Sequence, residues 1–201
     1  MAVEVVFTER RSELTPERAR NYERLRDRVA SASGEAVETS HYDEVDPDRL
    51  SRAATIVLSG STAPWAAHDP AELERLGEAV RAARRPVLGI CAGMQLLGVF
   101  AGGALGPCAK PEHGFLPVCV NDASDLLRDL PREVIVFHDH TDEISTLPRG
   151  FRILASSRYC RIQAIGDSAR RWWGTQFHPE EYTPEHAAGK QVLERFFALV
   201  R

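Results

Sequence analysis

The most informative stretch of this chain is Pro86-Val-Leu-Gly-Ile-Cys-Ala-Gly-Met-Gln95. An apolar run enters Gly89-x-Cys91-x-Gly93, and a helical pattern follows it. This order is typical of a nucleophile elbow, a tight strand-to-helix turn that lifts a reactive side chain above a sheet. Glycines flank the cysteine at two residues' distance because the turn leaves no room for a Cβ atom at those positions. The stretch therefore predicts a strand, a nucleophilic Cys91 and a helix in that order.

A second stretch, Gly174-Thr-Gln-Phe-His-Pro-Glu-Glu181, supplies the groups that such a nucleophile needs. His178 and Glu180 are two residues apart, so in an extended chain they point to the same side. A carboxylate that orients an imidazole beside a nucleophile is the arrangement of a catalytic triad. Taken singly, each stretch also fits a structural role: Cys91 as a small buried apolar residue, and His-Pro-Glu as an exposed turn. Together they favour a triad.

The composition limits the classes of protein to which this chain can belong. The 201 residues are 43% apolar and 27% charged, which is ordinary for a globular protein, and we expect one domain over residues 1–201. The net charge of −4 disfavours a protein that coats nucleic acid. The uncharged segment 86–109 is interrupted by glycines and prolines, so we expect no membrane span. The four cysteines lack CxxC spacing and the first residues do not resemble a signal peptide, so we expect a cytoplasmic protein.

Short apolar runs alternate with amphipathic ones, and the second half is rich in strands, which predicts an α/β sheet with antiparallel additions. Three helices are expected to start at Thr15-Pro16, Asp69-Pro70 and Thr183-Pro184, with Gly34 ending the first. The predicted strands are Val3–Phe7, Ala36–Thr39, Thr55–Ser59, Pro86–Ile90, Leu116–Val120, Val134–His138, Phe151–Ala155, Arg161–Ile165 and Trp172–Phe177.

The Cys91 and His178 stretches resemble the class I, triad-type glutamine amidotransferases, and are nearest to the glutaminase portion of GMP synthetases. The likeness runs from about residue 36 to the C-terminus. Three other segments are similar to the family in order along the chain: Ile56-Val-Leu-Ser-Gly-Ser61, Glu112-His-Gly-Phe115, and His138-Asp-His-Thr-Asp142 with its sequel.

The resemblance implies a flavodoxin-like α/β fold, with a central, mostly parallel sheet flanked by helices and extended by antiparallel strands. It implies that Cys91 is the nucleophile, His178 the acid and base, and Glu180 the residue that orients His178. By the same resemblance, the backbone N–H groups of Ser61 and Ala92 form the oxyanion hole. The implied substrate-binding residues are Gly60, Gln95, Gly114 and Phe115.

Three positions depart from the family pattern. Ser61 stands where glycine is usual, and its Cβ restricts the turn. Ala92 is smaller than the Tyr, Phe or Leu that usually follows the nucleophile, which would widen the mouth of the site. The segment Glu9–Asn21 is longer and more charged than the usual start, which puts a plain GMP synthetase assignment in question.

His138, His140 and Asp142 have the His-x-His-x-Asp spacing of a dinuclear zinc site. The next position would have to be histidine and is Glu143, and no partner histidines occur at convincing spacing. We therefore expect no metal and no cofactor. The arginines of the first helix are interleaved with acids, which favours a solvated face, with a docking surface for an acidic partner as the alternative.

From the sequence we expect a glutaminase subunit that supplies ammonia to a separate ATP-dependent synthetase, since the chain has no phosphate-binding loop of its own. One alternative is a γ-glutamyl amide or peptide hydrolase of the same fold, which the small Ala92 would suit. Another is a non-catalytic interaction subunit, which the intact Cys91, His178 and Glu180 disfavour.

Overall fold

The computed structural model describes residues 2–201, in which a single sheet of nine strands runs in the order β2-β1-β3-β4-β9-β8-β7-β5-β6. Four ladders, from β2 to β9, are parallel, and the four ladders from β9 to β6 are antiparallel. The strands are β1 (Val3–Phe7), β2 (Val37–His41), β3 (Thr55–Leu58), β4 (Val87–Ile90), β5 (Ala104–Val120), β6 (Glu133–Thr146), β7 (Arg152–Ser156), β8 (Ala164–Asp167) and β9 (Trp172–Thr175). The predicted α/β class is confirmed.

Five α-helices cover the two faces of the sheet. They are α1 (Pro16–Ser33), α2 (Pro47–Arg52), α3 (Pro70–Ala83), α4 (Ala92–Phe100) and α5 (Ala188–Val200). Consecutive strand residues point to opposite faces, so neighbours such as Val5 and Val6 enter different cores. Helices α1 and α5 pack on one core, and α2, α3 and α4 pack on the other. No helix in residues 2–201 has both the length and the apolar character needed to cross a membrane.

Local signals set both ends of α1 and the start of α3 as predicted. The Thr15 side chain accepts a hydrogen bond from the N–H of Arg18, and Gly34 ends α1 with a φ of 67°. Asp69 caps α3 in the same way, by accepting from the N–H of Ala71.

The predicted start of the last helix at Thr183-Pro184 is wrong, because α5 begins at Ala188. Thr183 closes a tight turn instead: its hydroxyl and its carbonyl oxygen both accept from the N–H of His186, at 3.2 Å each. The cap-and-proline pattern also fits such a turn, and the chain does not become helical until this turn has ended.

Strands β5 and β6 are longer than the predicted segments Leu116–Val120 and Val134–His138, and they form a long antiparallel hairpin. Three prolines and two glycines within β5 mask its strand character in the sequence, and the register shifts between Pro107 and Glu112. Since β6 lies at the edge of the sheet, its residues are free to contact the loop after β9, where Phe137 bridges to His178.

Candidate active site

Cys91 occupies a strained turn between β4 and α4. Its φ of 50° lies in the left-handed region, which is unusual for a residue with a side chain. A Cβ atom on Gly89 would lie 2.6 Å from the backbone of Gly93, and one on Gly93 would overlap the carbonyl of Leu58. The elbow predicted from the glycine spacing is therefore present, and the N-terminus of α4 begins directly after the cysteine.

His178 and Glu180 meet immediately after β9. The Nδ1 atom of His178 lies 2.8 Å from Oε1 of Glu180, and the backbone N–H of His178 donates to the carbonyl oxygen of Phe137 at 2.8 Å. The carboxylate of Glu180 is almost fully buried, whereas the imidazole keeps 15% of its surface exposed. The backbone and the imidazole of His178 are thus each held by one hydrogen bond, and the imidazole is still reachable from the cavity beside it.

The ionisation of His178 depends on its two partners. Burial alone would lower the pKa of His178, but the Glu180 carboxylate and the Cys91 side chain raise this pKa well above the ordinary histidine value. A histidine with a raised pKa carries its proton at neutral pH. The arrangement therefore favours a protonated imidazole beside the sulfur of Cys91.

Gly60 allows the cysteine and the histidine to come together. A Cβ atom on Gly60 would lie 2.7 Å from Cε1 of His178 and 3.5 Å from Cβ of Cys91. The Gly60 carbonyl oxygen accepts hydrogen bonds from the hydroxyls of Thr8 at 2.7 Å and Tyr22 at 3.3 Å, so this backbone position is held in place. Gly60 therefore leaves the space that the two side chains need. It also lines a cavity beside His178, and its contact with substrate stays a prediction.

A cavity of about 280 Å³ lies beside Cys91, and we call it the cysteine cavity. Ser61 and Ala92, the predicted oxyanion residues, both line it. Ala92 is the first residue of α4, so its N–H has no partner within the helix. In the part of the chain that the structure describes, the N–H of Ser61 donates no hydrogen bond.

Gln95 also lines the cysteine cavity, but its side-chain amide is bound to the protein. Its Nε2 donates to the carbonyl oxygen of Asp142 at 2.8 Å and to Oε1 of Gln176 at 3.0 Å, and its Oε1 accepts from Nε1 of Trp65 at 3.0 Å. Gln95 therefore shapes the wall of the cavity and positions Gln176.

Gln176 is a site residue that the sequence reasoning missed. Its Nε2 lies 3.5 Å from Sγ of Cys91, and the residue is fully buried. A signal for it existed, since Gln176 precedes His178 by two residues and period-two spacing places both on one side of the chain. An amide donor at this distance stabilises a negatively charged sulfur.

Gly114 and Phe115 line neither the cysteine cavity nor the cavity beside His178. Both residues lie on β5, where Gly114 pairs with His138 and Phe115 pairs with Phe137. Strand β6 therefore stands between them and His178, and Phe115 packs against Phe137 and His186 instead. The geometry does not support direct substrate contact by these two residues, because the hairpin presents β6 to the site.

A second cavity of about 220 Å³, which we call the histidine cavity, lies beside His178 and Glu180. His178, Glu180, Gly60 and Phe137 line it, together with residues of α1, and it shares Ser61, Thr62 and Asp139 with the cysteine cavity. The cavity that His178 lines thus adjoins the one beside the sulfur.

The predicted His138, His140 and Asp142 do not come together. Asp142 and His140 both line the cysteine cavity, but only His138 and His140 cluster with Glu112. The carboxylate of Glu112 already accepts from Ser157 at 2.8 Å and from Nε2 of Gln163 at 2.6 Å, and Nε2 of His140 lies 3.2 Å away.

The buried cluster combines a neutral histidine with a charged carboxylate, and among residues 2–201 neither ring nitrogen of His138 has a hydrogen-bond partner. Burial lowers the pKa of His138 to about 4, which keeps its imidazole neutral. Burial would raise the pKa of Glu112, but hydrogen bonds from His140 and Ser157 lower it overall, so the carboxylate is charged. These three residue types could ligate zinc, yet the carboxylate oxygens are already engaged with other side chains.

The mixed sheet, the strained cysteine and the buried His–Glu pair define an α/β enzyme of the cysteine-triad type. The family model for "Glutamine amidotransferase class-I" matches residues 21–200, and the chain belongs to this family. The predicted family is therefore confirmed.

Comparison with individual proteins shows which members of the family the chain resembles. The chain is 42% identical over 128 residues to a glutamine-hydrolysing GMP synthase subunit of Sulfurisphaera tokodaii, covering 62% of this chain and 67% of that protein. The chain is also 36% identical to the GMP synthase of Bacillus subtilis over 141 residues. That match covers 70% of this chain but only 26% of the longer Bacillus protein. A crystal structure of a Thermoplasma acidophilum protein, described as a GMP synthase subunit, superposes with a TM-score of 0.78 at 26% identity, covering 98% of this chain and 94% of the other.

Proposed function

We propose that this chain hydrolyses the side-chain amide of glutamine and passes the ammonia to a separate ATP-dependent synthetase. The observation that carries the proposal is the Cys91–His178–Glu180 arrangement, in which His178 is held 2.8 Å from Glu180 and its pKa is raised by both partners. The likeness to glutamine-hydrolysing GMP synthase subunits makes the synthetase that forms GMP the first partner to test. Residues 1–201 would act as one amidotransferase domain without metal or cofactor.

In the first half of the proposed reaction, the sulfur of Cys91 attacks the amide carbon of glutamine. The oxygen of the tetrahedral intermediate is held by the N–H groups of Ser61 and Ala92, which both border the cysteine cavity. Protonated His178 then gives its proton to the leaving nitrogen, and ammonia departs from the thioester. Gln176 stabilises the anionic sulfur before the attack.

In the second half, neutral His178 takes a proton from water, which attacks the thioester and releases glutamate. Glu180 holds the imidazole in one orientation through both steps and stabilises its positive charge when it is protonated. The proton returns to the Cys91–His178 pair, so the cycle needs no other acid or base.

The histidine cavity favours a second candidate, a γ-glutamyl amide hydrolase. His178 delivers the proton to the leaving nitrogen, and the space of about 220 Å³ on its side has room for an amine larger than ammonia. The small side chain of Ala92 leaves further room at the mouth. A non-catalytic interaction protein has no such support, since a protein without activity has no need of a strained cysteine beside a buried His–Glu pair.

A glutamate-release assay with the purified chain tests the proposal, with and without the GMP-forming synthetase and ATP. Glutamine and its γ-glutamyl methylamide analogue are compared as substrates. Hydrolysis of glutamine by the wild type, its loss in Cys91→Ala and its retention in Cys119→Ala support the proposal. Faster turnover of the methylamide than of glutamine favours the hydrolase instead.

The compartment that we propose is the cytoplasm. All four cysteines are free thiols in the structure, which is consistent with a reducing environment.

A further inference from the structure

Glu9, at the end of the first strand, is a buried carboxylate with no role in the reaction described so far. Its residue is 2% exposed, although it borders the histidine cavity. Its Oε1 accepts hydrogen bonds from the N–H of Thr62 at 2.5 Å and the N–H of Ala63 at 3.2 Å. The same oxygen also accepts from the hydroxyls of Ser61 at 3.1 Å and Thr62 at 3.0 Å. One carboxylate oxygen thus accepts hydrogen bonds from all three residues of the segment Ser61–Ala63, which we call the oxyanion loop.

The backbone N–H groups of the oxyanion loop differ in their hydrogen bonding. Two consecutive N–H groups, those of Thr62 and Ala63, are directed to Glu9. Among the described residues, the N–H of Ser61 has no protein acceptor, and Ser61 is the loop residue expected to hold the oxyanion. Hydrogen bonds from N–H groups to a charged carboxylate are stronger than those to a neutral acceptor. Glu9 therefore fixes the two peptides that follow the oxyanion donor.

The charge of Glu9 is balanced from the first helix. Its Oε2 lies 3.3 Å from Nη1 of Arg18 in α1, and the carboxylate side chain is 1% exposed. A buried charge is tolerated only when it is paired and hydrogen-bonded, and both conditions are met here. Arg18 thereby connects helix α1 with the oxyanion loop through Glu9.

We propose that Glu9 is a positioning residue for the oxyanion hole and that Arg18 holds it in place. The Ser61 hydroxyl is itself tied to Glu9 and to the N–H of Ala63, so the carboxylate holds the residue that carries the oxyanion donor. Without the carboxylate, the loop loses four hydrogen bonds and the N–H of Ser61 loses its fixed direction. The role rests on the proposed glutamine hydrolysis.

The test compares Glu9→Ala, Glu9→Gln and the exposed α1 control Glu23→Ala by kcat and KM for glutamine, in the presence of the synthetase. Loss of one oxyanion donor in other enzymes costs about 10²–10³ in kcat, so for a displaced donor we expect a fall of roughly tenfold or more in Glu9→Ala. KM changes less than kcat, because the loop acts on the transition state. Glu9→Gln keeps an acceptor oxygen and falls between Glu9→Ala and the wild type.

A second readout separates positioning from general damage. Alkylation of Cys91 by iodoacetamide forms no oxyanion, so its rate in Glu9→Ala should match that of the wild type. Equal kcat in the wild type and Glu9→Ala overturns the role of Glu9. Parallel losses of kcat, alkylation rate and melting temperature also overturn it, since they indicate a disturbed fold. A wild-type chain that releases no glutamate with the synthetase overturns the proposed function itself.

Discussion

The Nδ1 atom of His178 lies 2.8 Å from Oε1 of Glu180, and the two residues are joined through the single turn Pro179–Glu181. The sequence predicted that the two side chains share one side of an extended strand. The strand β9 in fact ends at Thr175, and the short 3₁₀ turn returns Glu180 to the imidazole. The contact between His178 and Glu180 is as expected, although a turn and not an extended strand brings the two side chains together.

Replacement of Glu180 by glutamine should move the alkaline limb of the pH–rate profile to lower pH. His178 must be protonated to serve as the acid, so activity is lost as pH rises through its pKa. The Glu180 carboxylate raises this pKa, and a neutral amide would not. The pH dependence of glutamate release measures the shift, with the exposed Glu194→Gln in α5 as the control. An unchanged profile in Glu180→Gln would contradict the role assigned to this carboxylate.

Glutamine-analogue diazo-ketones should label Cys91 and leave the other three cysteines unmodified. Burial and nearby carboxylates raise the pKa of Cys108 to about 12, and burial also raises the pKa of Cys160, so both thiols stay protonated. Cys119 is exposed but lines neither cavity of the site. Peptide mass spectrometry after labelling locates the adduct. Labelling spread over several cysteines would show that Cys91 is not selectively activated.

Gly60→Ala should abolish most of the activity. The added Cβ would lie 2.7 Å from Cε1 of His178 and so would push the imidazole away from Cys91. Gly106→Ala is the matched control, since the nearest atom to its added Cβ is Cβ of Ser145, at 3.2 Å. Glutamate release and melting temperature are measured for both variants. Wild-type activity in Gly60→Ala would mean that this close approach does not matter for the reaction.

We expect no stoichiometric zinc at Glu112, His138 and His140. Both carboxylate oxygens of Glu112 already accept hydrogen bonds, and a metal would have to displace the Gln163 amide at 2.6 Å. Elemental analysis of the purified protein and activity after dialysis against a chelator check this expectation. One equivalent of zinc in the wild type that is absent from His140→Ala would establish a metal site.

The isolated chain should show weak glutaminase activity that rises roughly tenfold or more when the synthetase docks, which corresponds to a modest shift between conformations. Hydrolysis without an acceptor wastes glutamine, and a partner that binds only the competent state raises its population. The assay is the rate of glutamate release against synthetase concentration, with Cys91→Ala plus synthetase as the blank. High activity of the chain alone, unaffected by the synthetase, would argue against this coupling.

The sequence by itself determined the features that depend on a few neighbouring residues. Gly89 is required by contact with Gly93 inside the elbow, and Thr15 and Gly34 set the ends of α1 by contacts that are equally local. Gly93 follows the same motif, although the atom that excludes its Cβ is the carbonyl of Leu58 in β3. The His178–Glu180 pair could also be predicted from the sequence, because the two residues are only two positions apart. Prolines and glycines within β5 conceal a strand that only pairing with β6 stabilises, so the length of that hairpin was not predictable.

The tertiary structure alone decided which distant groups meet at the site. Glu9 reaches Thr62 across 53 positions because β1 and β3 are parallel neighbours whose ends lie together, and Gln176 reaches Cys91 across 85 positions because β4 pairs with β9. The bridge between Phe137 and His178, which lies outside the main strand ladders, places β6 between Gly114 and the histidine. Such contacts follow from strand order, which arises from the burial of both sheet faces as a whole and not from any local pattern of residues.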